Sequence, residues 1–272
     1  MFVPIHARFF TMSSDLLSRE RQDAIRRRLQ ETGRVLAGDL ARLFGVSEDT
    51  VRRDLREMAA AGLCQRVYGG ALALPQEQPF SVRIGDSPGR KATLAAKAVT
   101  VLKDGMTLFV DAGSTNLAIV RAIPLHLTLT LSTNMPAIAM AALDHPKIDV
   151  ITIGGRIDRH VGAAIGARAE RDLEALRPDL CILGACGLDP KAGLTGLVYE
   201  DAEFKRAAAA RSGSVLVAAT NEKLGLCEPF AIAACGPGQT LVLEGDAPAP
   251  LSKAFTETGV HLLHAAAVSQ SA

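Results

Sequence analysis

Apolar residues recur along this chain with two different rhythms, and the rhythm changes near residue 90. Over residues 19–32, Ile25 and Leu29 stand four apart among arginines and acids, which predicts a short amphipathic helix ending near Gly33. Leu40, Leu43 and Phe44 give a second helix over 37–44 its inner face, and Gly45 follows, where a left-handed residue is easily accommodated. Val51, Leu55 and Met58 recur at i, i+4 and i+7, so a third helix over 47–60 buries that face. Ser47 is its N-cap, and Glu48 and Asp49 fill a first turn where the helix dipole favours acids. Thr50, Arg52, Arg53 and Arg56 project elsewhere. Residues 62–74 predict a β-hairpin turning at Gly69-Gly70, with Arg66 on it.

From residue 91 the pattern becomes near-continuous apolar runs separated by helical stretches. An alanine-rich helix over 91–102 precedes runs at 107–111, 127–131, 148–153, 180–183 and 215–218, with further strands at 241–243 and 260–263. Such runs with intervening helices imply an open, mostly parallel α/β sheet. Small and polar residues close successive runs: Asp111-Ala-Gly-Ser-Thr115, Ser132-Thr-Asn134, Gly154-Gly-Arg156 and Gly184-Ala-Cys-Gly187. Ligands of open α/β sheets bind outside the carboxyl ends of the strands. A Gly/Ser/Thr loop that opens a helix offers backbone N–H groups, hydroxyls and a positive dipole end to an anion. Several such loops together predict a site for a small phosphorylated ligand. The chain has neither GxxxxGK[ST] nor GxGxxG, which argues against ATP and NAD, and no cofactor is expected.

Composition sharpens this division. The 272 residues, 48% hydrophobic and 22% charged, suit two globular domains or one large one. The formal net charge of +1 hides an asymmetry: residues 1–75 hold 12 Arg and no Lys against 9 acids, a net +3, and the remainder is net −2. That excess is too small for binding nucleic acid by charge alone, so any DNA recognition rests on a few placed arginines. The five cysteines have no CxxC or zinc-ligand spacing and read mostly as small buried hydrophobes in a reduced, cytoplasmic setting. No uncharged apolar run is long enough to cross a bilayer, and the opening residues make a poor signal peptide. Met12 is an alternative start, which would make residues 1–11 an extension.

Two helices joined through a glycine turn, the second bearing arginines, followed by a hairpin, follow the logic of a winged helix-turn-helix. Val46-Ser-Glu-Asp-Thr-Val-Arg-Arg-Asp-Leu55, Gly62-Leu63 and Arg66-Val-Tyr-Gly-Gly-Ala71 resemble the DNA-binding signature of the DeoR family of bacterial transcriptional regulators. The resemblance continues through Asp111-x-Gly-Ser-Thr115, Thr133-Asn134, Gly154-Gly155, Gly187, Gly193-Leu-Thr195, Glu203 with Lys205, and Lys223-Leu-Gly225. It implies a winged helix-turn-helix over 16–74, a linker over 75–90, and over 91–265 an α/β sensor domain related to ribose-5-phosphate isomerase. By the same resemblance Ser47, Thr50, Arg52, Arg53, Arg56 and Arg66 contact an operator on double-stranded DNA. Asp111 would take sugar hydroxyls, and Gly113, Ser114 and Thr115 would cradle phosphate. Thr133, Asn134, Gly154 and Gly155 would line the pocket, with Lys205 and Lys223 as cationic partners.

The implied protein is a repressor of sugar or carbon metabolism, acting as a homo-oligomer (dimer or tetramer) and modulated by a phosphorylated sugar-like effector. The alternative is a sugar-phosphate isomerase or transferase fused to a DNA-binding domain, with Asp111, Glu200 and Lys223 as its acid–base groups. Two departures from the family pattern stand out. Thr220-Asn221 occupies the place where many relatives carry an aspartate, and Ser87-Pro-Gly-Arg90 replaces a helical acidic stretch.

Overall fold

A computed structural model describes residues 18–32, 34–60, 63–67, 69–73 and 80–267. The alternative start at Met12, with the rest of residues 1–17, lies outside the described residues, as do Gly62, Tyr68 and residues 74–79. The chain divides into two compact units, Met1–Gln76 and Glu77–Ala272.

The first unit runs α1 (Ser18–Thr32), β1 (Arg34–Leu36), α2 (Ala37–Phe44), α3 (Glu48–Ala60), β2 (Cys64–Val67) and β3 (Gly70–Ala73). Ile25 and Leu29 of α1, Leu40 and Phe44 of α2, and Val51, Leu55 and Met58 of α3 form one buried cluster, closed by Val35, Cys64 and Ala71. Leu43 departs from expectation: it is 38% exposed, and Ala41 takes the inner position instead. Gly45 caps α2 at φ 64°, its N–H bonded to the Ala41 carbonyl. β1 adds a third strand beside the expected hairpin, in the antiparallel order β1-β3-β2. The hairpin turns one residue earlier than expected, because Gly70 already pairs with Val67 and with Leu36. A Cβ on Gly70 would lie 2.0 Å from the Val35 carbonyl oxygen, so the close approach of β1 requires glycine there.

The second unit begins inside the segment read as a linker. It runs α4 (Phe80–Arg83), α5 (Pro88–Ala98), β4 (Thr107–Val110), α6 (Ser114–Arg121), β5 (Leu129–Thr133), α7 (Pro136–Leu143) and β6 (Ile148–Thr152). It continues through α8 (Ala167–Leu173), β7 (Leu180–Leu183), β8 (Gly187–Asp189), β9 (Gly193–Gly196), α9 (Tyr199–Arg211) and β10 (Ser214–Ala219). It ends with β11 (Phe230–Ala233), β12 (Gln239–Leu243), α10 (Ala249–Glu257) and β13 (His261–His264). Seven strands form a parallel sheet in the order β13-β12-β10-β7-β4-β5-β6. Alternate side chains feed two cores. Leu108 and Val110 face the side of α5–α7, whereas Phe109 packs on Phe204 of α9, ring centroids 5.8 Å apart. Strands β8 and β9, which carry glycines, and the apolar β11 form a separate antiparallel sheet, which the apolar pattern did not predict.

The strand order locates the crevice. From β4 the chain adds β5 and β6 on one side, then β7, β10, β12 and β13 on the other. The reversal therefore lies between β4 and β7, where open α/β sheets leave room for a ligand.

Candidate functional site

Helix α3 carries most of the residues expected at DNA. Ser47 accepts the Thr50 N–H at 3.2 Å, and its hydroxyl lies 2.9 Å from the Thr50 hydroxyl, so both are fixed by the start of the helix. Arg52 pairs along the helix with Glu48 at 2.7 Å and Asp49 at 3.4 Å. Arg53 pairs with Glu57 at 3.2 Å while 78% of its side chain stays exposed. Arg56 and, on β2, Arg66 are exposed. Arg52 and Arg53 thus lie in solvent beside carboxylates of their own helix.

One charged residue of α3 points inward. Asp54 is buried among Val51, Leu55 and Met58 and receives a two-pronged bond from Arg21 of α1, at 2.5 and 3.0 Å. The pair ties α1 to α3. Its signal was legible: position 54 falls three residues after Val51 on the apolar face, where a carboxylate requires a partner.

In the second unit a cleft opens at the strand reversal. It is lined by the first turn of α6 (Gly113, Ser114, Thr115, Asn116), the loop after β7 (Gly184, Ala185, Cys186) and Thr220 and Lys223 after β10. Lys205 of α9 and Arg83, Asp86 and Lys91 complete it. Gly184 sits where the ends of β4 and β7 nearly touch; a Cβ there would lie 2.4 Å from the Ala112 carbonyl oxygen. Its N–H donates to Asp111 Oδ2 at 2.9 Å. Asn116 donates to the carbonyls of Asp111 and Ile182, at 2.9 and 3.3 Å, and so fixes α6 against both strands.

The charges here are interlocked. Lys205 Nζ stands 3.6 Å from Asp111 Oδ2 and bonds Asp201, and all three side chains are at most 4% exposed. Burial lifts the Asp111 carboxyl to about 6; Lys205 opposes that rise and Asp201 adds to it. Burial also works against the charge of Lys205, but Asp111 and Asp201 outweigh it and hold the ammonium above the ordinary lysine range. Asp111 Oδ1 is buried with no hydrogen-bond partner among the described residues. Lys223 donates to the Ala185 carbonyl at 2.7 Å, and Lys91 to the Arg83 carbonyl at 2.6 Å. Burial lowers the pKa of both lysines, and for Lys223 the neighbouring Arg83, Lys205 and Lys91 lower it further. An anion entering the cleft would relieve that repulsion.

Of the residues expected at the pocket, Gly113, Ser114, Thr115, Lys205 and Lys223 line the cleft, whereas Asp111 lies behind the lining, fully buried against Lys205. Thr133 and Asn134 are buried beside them but turn inward: Thr133 accepts the Met135 N–H at 3.1 Å, and Asn134 donates to the Ala164 carbonyl at 3.0 Å. Gly154 and Gly155 lie in an exposed turn after β6 and do not line the cleft. The reason is the strand order, since β5 and β6 end on the side of β4 away from the reversal. Glu203 bonds Arg206, so Asp201 is the acid that meets Lys205. Glu200 pairs with Arg156 at 3.3 Å, outside the lining. Arg83, Asp86 and Lys91 were missed because they fall in or beside the expected linker. Lys91 left a trace, since it heads the face that continues with Leu94, Ala95 and Ala98.

A winged helix-turn-helix joined in one chain to an α/β domain with a cationic cleft defines a class of protein, the DNA-binding regulator with a sensor domain. Residues 21–77 match the sequence model of the DeoR-like helix-turn-helix domain, and residues 87–244 match that of the DeoR C-terminal sensor domain. The chain belongs to the DeoR family of transcriptional regulators. It is 28% identical over 244 residues to the HTH-type transcriptional regulator GolR of Listeria innocua, covering 89% of this chain and 96% of that one. It is 31% identical over 209 residues to the glycerol-3-phosphate regulon repressor of Escherichia coli, covering 76% and 82%. Among solved structures it is similar to ribose 5-phosphate isomerase A of Methanocaldococcus jannaschii, with a TM-score of 0.37 and 18% identity over 49% of this chain and 53% of that one.

Proposed function

We propose that this regulator is a repressor whose hold on operator DNA is modulated by a small phosphorylated, hydroxyl-bearing metabolite bound in the cleft. The observation that carries this reading is the convergence of the α6 N-terminus with Lys91, Lys205, Lys223 and Arg83 at the strand reversal. The first-turn N–H groups of Ser114, Thr115 and Asn116 and the Ser114 and Thr115 hydroxyls suit a phosphate. Asp111 Oδ1, buried behind Lys205 and without a partner among the described residues, is the acceptor this reading assigns to a ligand hydroxyl. A relative's name points to the same chemistry, glycerol 3-phosphate, and this chain takes an effector of that class.

On the DNA side, Ser47, Thr50, Arg52, Arg53, Arg56 and Arg66 form the contact set, with α3 in the major groove. Two such units on paired half-sites require a symmetric oligomer. The site is built for binding, not turnover: Asp111 and Asp201 are both held by Lys205, and Glu200 stands apart. An effector shifts the DNA equilibrium by its preference for the weakly binding conformation, and a coupling of about 1–3 kcal/mol changes operator affinity roughly 5–150-fold.

A thermal-shift series with glycerol 3-phosphate, fructose 1-phosphate and ribose 5-phosphate tests the pocket, with glycerol, fructose and ribose as controls. A ligand at 100 times its Kd stabilises by about 2.7 kcal/mol, a rise of several degrees. The expected result is a rise with at least one phosphorylated compound and none with its unphosphorylated partner. Equal shifts within every pair would contradict a phosphate site.

A further inference from the structure

We infer that Arg90 is a positioning residue of the anion cleft: its bonds to Glu222 and Glu244 hold Lys91 and Lys223 at one site, so that a single phosphate meets both. This rests on the phosphate reading above and concerns what shapes that site. Arg90 is not part of the cleft lining, whereas Lys91, its neighbour in the chain, and Lys223, the neighbour of Glu222, both are. The two lysines come from different elements, Lys91 from the start of α5 and Lys223 from the turn over Asn221–Lys223 that follows β10. Lys91 works against the charge of Lys223 across the cleft. Like charges drawn together in this way require a restraint elsewhere.

The start of α5 is not secured by the usual local devices. Ser87, at its N-cap, has φ 45°, the one non-glycine residue in the left-handed region among the described residues. Such a conformation costs about 1–3 kcal/mol and persists where the surroundings over-determine it. The Ser87 hydroxyl does not cap the helix; it donates to Asp86 Oδ1 at 3.1 Å. The first turn holds no acid, and Arg90 and Lys91 stand near the positive end of the helix dipole, where cations are disfavoured.

Arg90 supplies the hold from behind the cleft. It makes a two-pronged bond to Glu244, which is buried just past the end of β12, and a further bond to Glu222. Glu244 also accepts the Asn221 N–H at 2.6 Å, so one buried carboxylate gathers the start of α5 and the turn that carries Lys223. Two-pronged bonds between a guanidinium and a carboxylate fix geometry as well as adding strength. On the cleft side, the Lys91 ammonium donates to the carbonyls of Arg83 and Asp86, and that of Lys223 to the Ala185 carbonyl. Each lysine is thus satisfied by backbone near its own element, and Arg90 spans from one element to the other.

The test is the affinity of the full chain for inorganic phosphate by isothermal titration calorimetry, for the wild type, Arg90→Gln and Glu222→Ala. Melting temperatures set a working temperature at which each variant is folded, and the Glu222 side chain is 61% exposed, so its replacement spares the core. The two substitutions change the net charge in opposite directions, which separates position from charge. Positioning makes both weaken phosphate binding, Arg90→Gln by about 10-fold, the order of one hydrogen bond to a charged group, and Glu222→Ala by about 3-fold. A Glu222→Ala variant that binds phosphate more tightly than the wild type means that these groups act by charge alone, and overturns the inference. Unchanged affinity in both variants, with lowered melting temperatures, makes Arg90 a tie for stability only, and overturns it too. A wild type that binds no phosphate overturns the phosphate site itself, and this role with it.

Discussion

The arginines of α3 and the lysines of the cleft carry the same charge and are held in opposite ways. Arg52 and Arg53 lie in water beside Glu48, Asp49 and Glu57, each pair three or four residues apart on one helix. Exposed pairs of that kind contribute about 0.2–1 kcal/mol, so an arginine can exchange its carboxylate for a DNA phosphate at little cost. Lys205 is shut in with Asp111 and Asp201, where neither sign can be removed without stranding the other. The DNA-binding unit thus keeps its charges exchangeable, and the sensor keeps its charges fixed. A surface that must meet a long polyanion needs freedom of partner, whereas a pocket that must recognise one small molecule needs preset geometry.

The largest effect that would break this contrast is expected at Lys205. Lys205→Met leaves two buried carboxylates facing each other and should lower the stability of the second unit by about 3–5 kcal/mol in urea unfolding. A loss below about 1 kcal/mol would mean that the buried network is not holding the cleft. The first unit has one feature of the same buried kind, Arg21 with Asp54. Asp54→Ala should destabilise that unit by about 3 kcal/mol and expose it to limited proteolysis, with effector binding unchanged. Arg53→Ala should behave as the opposite case. Operator affinity should fall by roughly 5–150-fold in a gel-shift titration, with the melting temperature unaltered. Unchanged DNA binding would take Arg53 out of the interface.

A smaller effect sharpens the comparison through pH. The folded carboxyl of Asp111 sits at about 6, above its unfolded value, so between roughly pH 4 and 6 the folded state holds this proton more tightly than the unfolded state does. Stability from this group is therefore full below about pH 4 and is lost as pH rises through 6. The Asp111→Asn variant lacks that dependence, so it should gain on the wild type by roughly 1–2 kcal/mol between pH 4 and 7. Parallel pH profiles for the two proteins would contradict the assignment.

Much of this was legible in the residues. Ser47 with Glu48 and Asp49 marked the start of α3 because capping is local chemistry, and the apolar runs marked the parallel strands because both of their faces are covered. What escaped depended on partners distant in the chain. Residues 34–36 become β1 only because residues 70–72 lie alongside them. Asp111, Gly113, Ser114 and Thr115 were found from one loop. Which other strand ends share their cleft depended on a strand order that no local pattern encodes. That is why Thr133 and Gly154 were expected in the lining, and why Asn116, which ties the ends of β4 and β7 together, was not. The net charge of +1 was a further case of a sum concealing its parts.

The central claim is that filling the cleft changes the hold on DNA. Its most direct test is fluorescence anisotropy of the full chain on a duplex enriched from a random pool by the wild type, titrated with a sugar phosphate that raises its melting temperature. Anisotropy should fall as the phosphate is added, by a 5–150-fold loss of affinity at saturation, about the range of ordinary allosteric coupling. Lys223→Ala should bind the same duplex and fail to release it. A wild-type complex unmoved by saturating phosphate would contradict the account.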